Sequence, residues 1–319
     1  MGGDSRPEYG SINVINMSSL EEILKTNVRL SSYTTFGIGG PADFFINARS
    51  VKSLICGIKF ARSRNLPFIV IGGGSNLLID DRGIRGLVIR NSLKGIRVRK
   101  NNLTARAGEK LCRLLQFAAN RGLSGLEFAA GIPGTLGGAV FGNAGAYGKA
   151  LGDFLTEATL MDYNGNVKKV KNEYFNFSYR WSQIKRKREI VLDCTFSLGR
   201  GKPDDIKRQM NRLIEERCRK HPDKTWGCAG SYFKNIDPEK PGQRRVAAGL
   251  LLDRVGARKM RLGKARVFPG HANFLTNPGG ATATEIKELA KILKNKVKQE
   301  FGIELEEEVI FLDENLSYI

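Results

Sequence analysis

The chain has 319 residues, enough for about two domains at roughly 100–200 residues each. Apolar residues make up 41% and charged residues 26%. That is too apolar for a disordered chain, and no stretch reaches the roughly 18 apolar residues that a membrane span needs. The formal charge of +20 suits anionic partners (nucleic acid, acidic lipid or phosphorylated small molecules) or a generally basic, solvated surface.

The first residues, MGGDSRPEYG, lack the apolar core of a secretory signal, so no export is expected. Ser18-Ser19 before Glu21-Glu22 predicts a capped helix running to about Thr26. A strand is expected at 42–48 and a helix at 51–64, and PFIVIGGG (67–74), a short apolar run ending in glycines, reads as a buried strand opening into a loop. Strands follow at 86–90 and 103–108, then a helix at 109–122. Asn164-Gly165 between ATLMDY and VKKVK predicts a hairpin. KRKRE at 185–189 precedes an apolar strand and reads as a hairpin tip or strand edge. A helix is expected over 203–220, with Pro203 in its first turn. Amphipathic helices are expected over 246–256 and 282–302, then a last strand over 304–312. Helices and strands mix throughout, so the class is α/β or α+β, with a boundary near Gly199–Asp204.

The five cysteines (56, 112, 194, 218 and 228) are scattered and include no CxxC pair. This argues against a disulfide framework and against a metal site, and it fits a reducing cytoplasm. The charge is uneven: residues 82–121 hold eleven Lys/Arg and one acid, whereas the last nineteen hold six acids and no base. Few aromatics interleave with the basic residues, which disfavours a stacking platform for single-stranded nucleic acid.

Two glycine-rich segments stand apart: Gly72-Gly73-Gly74-Ser75-Asn76, and 129–148 with its seven glycines. Such loops turn backbone N–H groups toward a phosphate without Cβ clashes. Neither GxGxxG nor the Walker lysine spacing is present. A triple glycine alone fits a tight turn between buried strands. Two such loops about sixty residues apart, each flanked by apolar strand, favour a dinucleotide.

TTFGIGGPADFF (34–45), IGGGSNLLI, GLEFAAGIPGTLGGAVFGNAGAYG (125–148), Tyr179-Arg180, AGSYFKN (229–235), HANFLTN (271–277) and LEEEV (305–309) occur in that order. Together they resemble the UDP-N-acetylenolpyruvoylglucosamine reductases over about residues 20–312. The spacing after Tyr179-Arg180 matches the compact second subclass. The resemblance implies an α+β chain: a vanillyl-alcohol-oxidase-type FAD-binding fold in two lobes over residues 30–200, and a substrate-binding domain over 201–319. Residues 1–29 would form an N-terminal helical segment. FAD would be the cofactor and NADPH the co-substrate. The product would be a cell-wall precursor, made by a cytoplasmic monomer without nucleic-acid or membrane partners.

The resemblance also assigns residues. Gly72, Gly73, Gly74, Ser75 and Asn76 would cradle the pyrophosphate. Gly131, Ile132, Pro133, Gly134, Gly137 and Gly138 would pass beside the flavin, and Asn143 would join the cofactor site. Reduced flavin would give hydride to C3 of the enolpyruvyl group. Arg180 would hold the charge that develops at C2 and its carboxylate. Ser231 would deliver a proton to C2, and Glu308 would assist as a neutral acid or by ordering a water and Arg180. Tyr147, Tyr179, Arg217, Lys234 and Asn235 would contact the sugar nucleotide, while His271 would shape the HANF turn. Departures lie at HPDKTWGCAGS (221–231), where QPxxxPSAGS is usual, and at Glu307, where proline is usual. Readings that remain open are a flavin oxidase of the same fold and a basic nucleic-acid-binding protein.

Overall fold

A computed structural model describes residues 22–238 and 245–317. The first lobe is a mixed four-stranded sheet. It contains β1 (Leu24–Arg29) and β2 (Pro41–Ala48), followed by helix α1 (Val51–Ser63) and β3 (Phe68–Ile71). The short β4 (Leu77–Ile79) precedes β5 (Ile84–Asn91). The order is β1-β2-β5-β3, with β1 antiparallel to β2 and the other pairs parallel. Helix α1 starts at a capping box between Ser50 and Ser53 and buries Leu54, Ile55, Ile58 and Ala61 at helical spacing. Its Gly57 faces Ile46 and Ile89 so closely that a Cβ would lie 2.8 Å from Ile89 Cδ1, so the helix sits directly on the sheet.

The expected helix to Thr26 is corrected in its described part: residues 24–29 form the edge strand β1. Val28 pairs with Ala42 and Leu24 with Ile46. A ladder along β2 outweighs the local helix-start signal, whose first residues lie outside the described chain.

The second lobe is a five-stranded antiparallel sheet. Its elements are β6 (Ile96–Arg99), β7 (Asn102–Arg106), helices α2 (Leu111–Ala119) and α3 (Leu136–Phe141), β8 (Leu155–Met161), β9 (Val167–Lys171), the helical turn α4 (Ile184–Lys187) and β10 (Ile190–Ser197). The strand order is β9-β8-β10-β7-β6. The β8–β9 hairpin is present, but Asn164-Gly165 does not occupy the two central positions of a tight turn. Gly165 N–H donates to the Asp162 carbonyl, and Gly165 follows in the left-handed region at φ 89°. Asp162 Oδ1 also accepts the N–H groups of Asn164 and Asn166. KRKRE is a helical turn rather than a hairpin tip. It leads into β10, and its Lys185 is half-buried.

The remaining chain carries α5 (Pro203–Lys220), α6 (Ala248–Arg254), the small sheet β11 (Arg261–Leu262), β12 (Ala265–Val267) and β13 (Leu275–Thr276), then α7 (Ala283–Phe301) and β14 (Ile310–Leu312). In α5, Pro203 sits in the first turn with Asp204 and Asp205, and Arg217, Arg219 and Lys220 in the last, complementing the helix dipole. Its buried Ile206 and Met210 pack into the core of the second lobe. Helix α7 has a Thr282–Glu285 capping box and ends at left-handed Gly302. Ile286, Leu289, Ala290, Leu293 and Val297 are fully buried along one face. Burying each of the larger of these side chains contributes about 1.5–3 kcal/mol. Asp81 of the first lobe accepts the N–H groups of Ala283 and Thr284, tying the start of α7 to that lobe.

The expected strand over 304–312 is shorter: only 310–312 forms a ladder, parallel to β4, with Ile310 opposite Leu77. Residues 306–308 instead zip against 232–234. Lys234 N–H donates to Glu306 O at 2.8 Å, and Glu308 N–H donates to Tyr232 O at 2.7 Å. The acidic end is dispersed among cations: Glu314 pairs with Arg82 at 2.7 Å, Glu304 with Lys298 at 3.2 Å, and Glu307 lies 3.7 Å from Lys294.

Candidate active site

The two glycine segments meet. A Cβ on Gly72 would overlap the Thr135 hydroxyl, and one on Gly73 would lie 3.0 Å from Gly134 Cα. Ser75 Oγ donates to the Pro133 carbonyl at 3.2 Å. On the other side, Gly74, at φ 63°, packs against Tyr33 so tightly that no side chain fits, and its carbonyl accepts Thr35 N–H at 3.1 Å. Gly137 lies on Ala107, where a Cβ would come within 2.9 Å of the Ala107 methyl, and its N–H donates to the Ala107 carbonyl at 2.8 Å. The result is a bare backbone cradle between β3 and α3. Thr135 Oγ1 is buried in it and finds no hydrogen-bond partner among the described residues. An orphaned hydroxyl beside side-chain-free loops suits a ligand that presents phosphate oxygens and a flat ring.

Three chemically active side chains are set from separate parts of the chain. Gly230, left-handed at φ 80° with open space around it, turns the chain into Ser231. Tyr232 N–H donates to Asn273 O at 2.8 Å, and the Tyr232 carbonyl accepts Glu308 N–H. Ser231 is therefore one residue from the backbone contact that fixes Glu308. Asn76, at the end of the first glycine loop, grips the same segment: its Nδ2 donates to the Glu308 carbonyl at 3.0 Å, and its carbonyl accepts Ile310 N–H at 3.0 Å.

Arg180 Nε lies 2.6 Å from Glu308 Oε1. Nε–H is not aligned on that oxygen and has no other acceptor among the described residues, so the contact is a charge pair more than a directed hydrogen bond. Arg180 Nη1 donates to the Gly145 carbonyl at 3.0 Å, inside the second glycine segment. Burial pushes the Glu308 carboxyl above its ordinary value, while Arg180, Lys185 and Lys234 pull it back down. Arg180 is itself left-handed, at φ 55°. That conformation costs a bulky residue about 1–2 kcal/mol and persists only where the surroundings hold it.

The expected sugar-nucleotide residues fall into two groups. Tyr179, Lys234 and Asn235 line one cleft of about 200 Å³, together with Glu306. There Tyr179 Oη accepts Asn235 N–H at 3.2 Å, and Lys234 pairs with Glu306. Asn235 Oδ1 also accepts the N–H of Ala248, at the first turn of α6. Arg217 and Tyr147 lie apart from this cleft. The Arg217 stem covers Gly131, where a Cβ would lie 2.8 Å from its Cδ, and its guanidinium stands 5.6 Å from the Tyr147 ring. Burial lowers the Arg217 pKa, and its Nε has no partner among the described residues.

Asn143 has both ends of its amide engaged, donating to Ser178 O at 2.9 Å and accepting Gly152 N–H at 3.0 Å, so it braces the Tyr179-Arg180 turn. Ile132 lies in the loop before Thr135, and Gly138 lies in the first turn of α3 just after it. His271 Nδ1 accepts Asn273 N–H at 3.2 Å within the HANF turn, and burial lowers its pKa. Burial raises the Cys228 thiol, three residues before Ser231, so it stays protonated at neutral pH. Sequence reasoning did not single out Thr135, Asn273 or Lys185. Lys185 was visible only as one cation of a basic run. Among the described residues, no group of three or more His, Cys, Asp or Glu side chains could hold a metal ion.

Residues 42–171 match the family described as "FAD binding domain", and the bare cradle with its orphaned Thr135 hydroxyl fits such a cofactor. Fold and site thus define an FAD-dependent oxidoreductase. Residues 221–312 match "UDP-N-acetylenolpyruvoylglucosamine reductase, C-terminal domain". The chain is 37% identical over 306 residues to the UDP-N-acetylenolpyruvoylglucosamine reductase of Caldanaerobacter subterraneus subsp. tengcongensis, covering 94% of this chain and 99% of that one. It is 37% identical to the enzyme of Clostridioides difficile, covering 95% and 98%. The crystal structure of the reductase from Thermus caldophilus superposes with a TM-score of 0.73 at 34% identity, covering 89% of this chain and 97% of that one. The chain belongs to the UDP-N-acetylenolpyruvoylglucosamine reductase family, which sets aside the nucleic-acid and flavin-oxidase readings.

Proposed function

We propose that the chain reduces UDP-N-acetylenolpyruvoylglucosamine to UDP-N-acetylmuramate with NADPH, supplying a peptidoglycan precursor. The observation that carries this reading is the Arg180–Glu308 pair, tied through Asn76 to one glycine loop and through Gly145 to the other, with Ser231 on the adjoining segment. Residues 30 to about 200 form the FAD-binding unit, in two lobes. Residues 201–319 form the substrate unit, which opens with α5 lying on the second lobe. The reading also carries a cytoplasmic, monomeric enzyme without membrane or nucleic-acid partners, serving cell shape and division.

When bound, FAD supplies two-electron chemistry, taking a hydride from NADPH and delivering one to carbon. Gly72, Gly73, Gly74, Ser75, Asn76 and the Gly131–Gly138 loop would hold it, with Thr135 Oγ1 free to donate. Addition of hydride at C3 of an enolpyruvyl ether drives negative charge toward C2 and its carboxylate. Arg180 offers a fixed guanidinium to that charge, worth several kcal/mol where water is excluded. Ser231 passes its hydroxyl proton to C2, which balances the addition: one hydride and one proton enter, and the C=C π bond is lost. A serine is a weak acid, so the step requires a strongly basic carbanion within hydrogen-bond reach. Glu308, whose backbone is tied to the residue after Ser231, would assist as a neutral acid or by ordering a water and Arg180, and its raised pKa favours the acid role. Tyr179, Lys234 and Asn235, in one cleft, suit the diphosphate and sugar. Arg217 and Tyr147, over Gly131, bound the cofactor side.

The test is substrate-dependent NADPH oxidation. The enolpyruvyl sugar nucleotide should drive it and yield a product two mass units heavier. UDP-N-acetylglucosamine, which lacks the double bond, should not. Equal NADPH consumption with both compounds would reject the reading.

A further inference from the structure

Arg180 sits at the third position of a four-residue turn: Trp181 N–H donates to Ser178 O at 3.2 Å, and Ser178 N–H donates to Trp181 O at 3.2 Å. That position with positive φ ordinarily takes glycine, yet here it carries a long charged side chain at φ 55°. Something must hold it. The Arg180 carbonyl accepts a hydrogen bond from Lys185 Nζ at 2.7 Å. Lys185 comes from α4, five residues on. Its ammonium is half-buried and stands 5.5 Å from the centre of the Phe141 ring and 5.8 Å from that of Trp181. We propose that Lys185 is a positioning residue for the reaction: it clamps the strained Arg180 backbone so that the guanidinium faces both Glu308 and the substrate carboxylate. This rests on the reading of Arg180 given above and goes beyond it, since among the described residues Lys185 Nζ hydrogen-bonds only the Arg180 carbonyl.

The charges around Lys185 come from every segment packed there. Arg180 belongs to the turn, Lys234 to the Ser231 segment, and Glu306 and Glu308 to the segment zipped against it. Burial, together with Lys234 and Arg180, lowers the Lys185 ammonium to about 8, against the opposing pull of Glu308 and Glu306. The clamp is therefore strongest, as a charge-assisted hydrogen bond, below that pH. Above it, a neutral amine holds the carbonyl less firmly, and one positive charge beside Glu308 is lost.

The experiment is stopped-flow on the FAD-loaded enzyme, with flavin bleaching by NADPH and recolouring by the enolpyruvyl sugar nucleotide recorded separately from pH 6 to 10. Lys185→Met should leave bleaching unchanged and slow recolouring about 10- to 100-fold, the scale of a small misplacement of a catalytic group. The wild type should show an alkaline fall near pH 8, and this variant should lack it. Lys185→Arg keeps a permanent charge able to reach the carbonyl. It should restore most of the rate and move the alkaline fall upward. Wild-type recolouring by Lys185→Met would overturn the clamp, as would an alkaline fall still near 8 in Lys185→Arg. The second result decides the matter if the methionine variant does not fold. A wild type that bleaches but never recolours would instead reject the proposed substrate.

Discussion

Arg180 Nε and Glu308 Oε1 lie 2.6 Å apart although the residues are 128 positions apart in sequence. Each is anchored to a different glycine segment: Glu308 by Asn76 and Arg180 by the Gly145 carbonyl. The pair joins the C-terminal segment to both halves of the cradle. Substituting Arg180→Ala should therefore slow recolouring of the reduced flavin by the enolpyruvyl substrate about 10²–10³-fold, the scale for one lost charge-stabilising donor. Bleaching by NADPH should change little. Turnover like that of the wild type would remove the charge-stabilising role.

Ser231→Ala takes away one hydroxyl at the end of a turn whose geometry Gly230 sets, so the fold should be kept. Recolouring should fall about 10²–10⁴-fold, the range for loss of a general acid, with bleaching nearly intact. Equal slowing of both halves would mean that Ser231 acts on the cofactor site rather than on C2.

Gly73→Val is a test of the cradle. Even a Cβ would come within 3.0 Å of Gly134 Cα, and a branched side chain would fill the gap between the loops. The purified variant should emerge colourless or with FAD bound about 10-fold more weakly or worse, a loss of about 1.4 kcal/mol or more, as judged by fluorescence titration. Unchanged affinity would place the cofactor elsewhere.

His221 gives a pH signature of stability. Burial, Arg217, His271 and Lys220 lower it to about 4 in the folded chain, against about 6.5 unfolded. A depressed pKa contributes stability that is fully present above the unfolded value and is lost as pH falls through the folded one. The melting temperature should therefore drop between pH 6.5 and 4, and less steeply in His221→Phe. Parallel pH dependences in the two proteins would exclude His221 as the source.

The sequence carried the fold wherever signals were local and unopposed. Helix α7 announces itself through its amphipathic pattern over 282–302, and α5 through Pro203 in its first turn. It failed where pairing partners were distant. Residues 24–29 carry a helix-start signal just before them but are held by β2, and residues 304–309 look like continuous strand but pair only through a few backbone bonds to 232–234. The site was legible as an ordered set of motifs. The contacts between them were not, because the Asn76–Glu308, Arg180–Gly145 and Lys185–Arg180 hydrogen bonds depend on tertiary placement. Lys185 was hidden by its composition: four consecutive cations look solvated, and only the helical turn of α4 brings one of them inward.

The most direct measurement is an anaerobic two-stage titration of the purified wild type. The protein should be purified yellow, bleach with one equivalent of NADPH and recover the visible absorbance of oxidised flavin on addition of the enolpyruvyl sugar nucleotide. A protein that binds no FAD, or that stays bleached after the sugar nucleotide is added, would contradict the account.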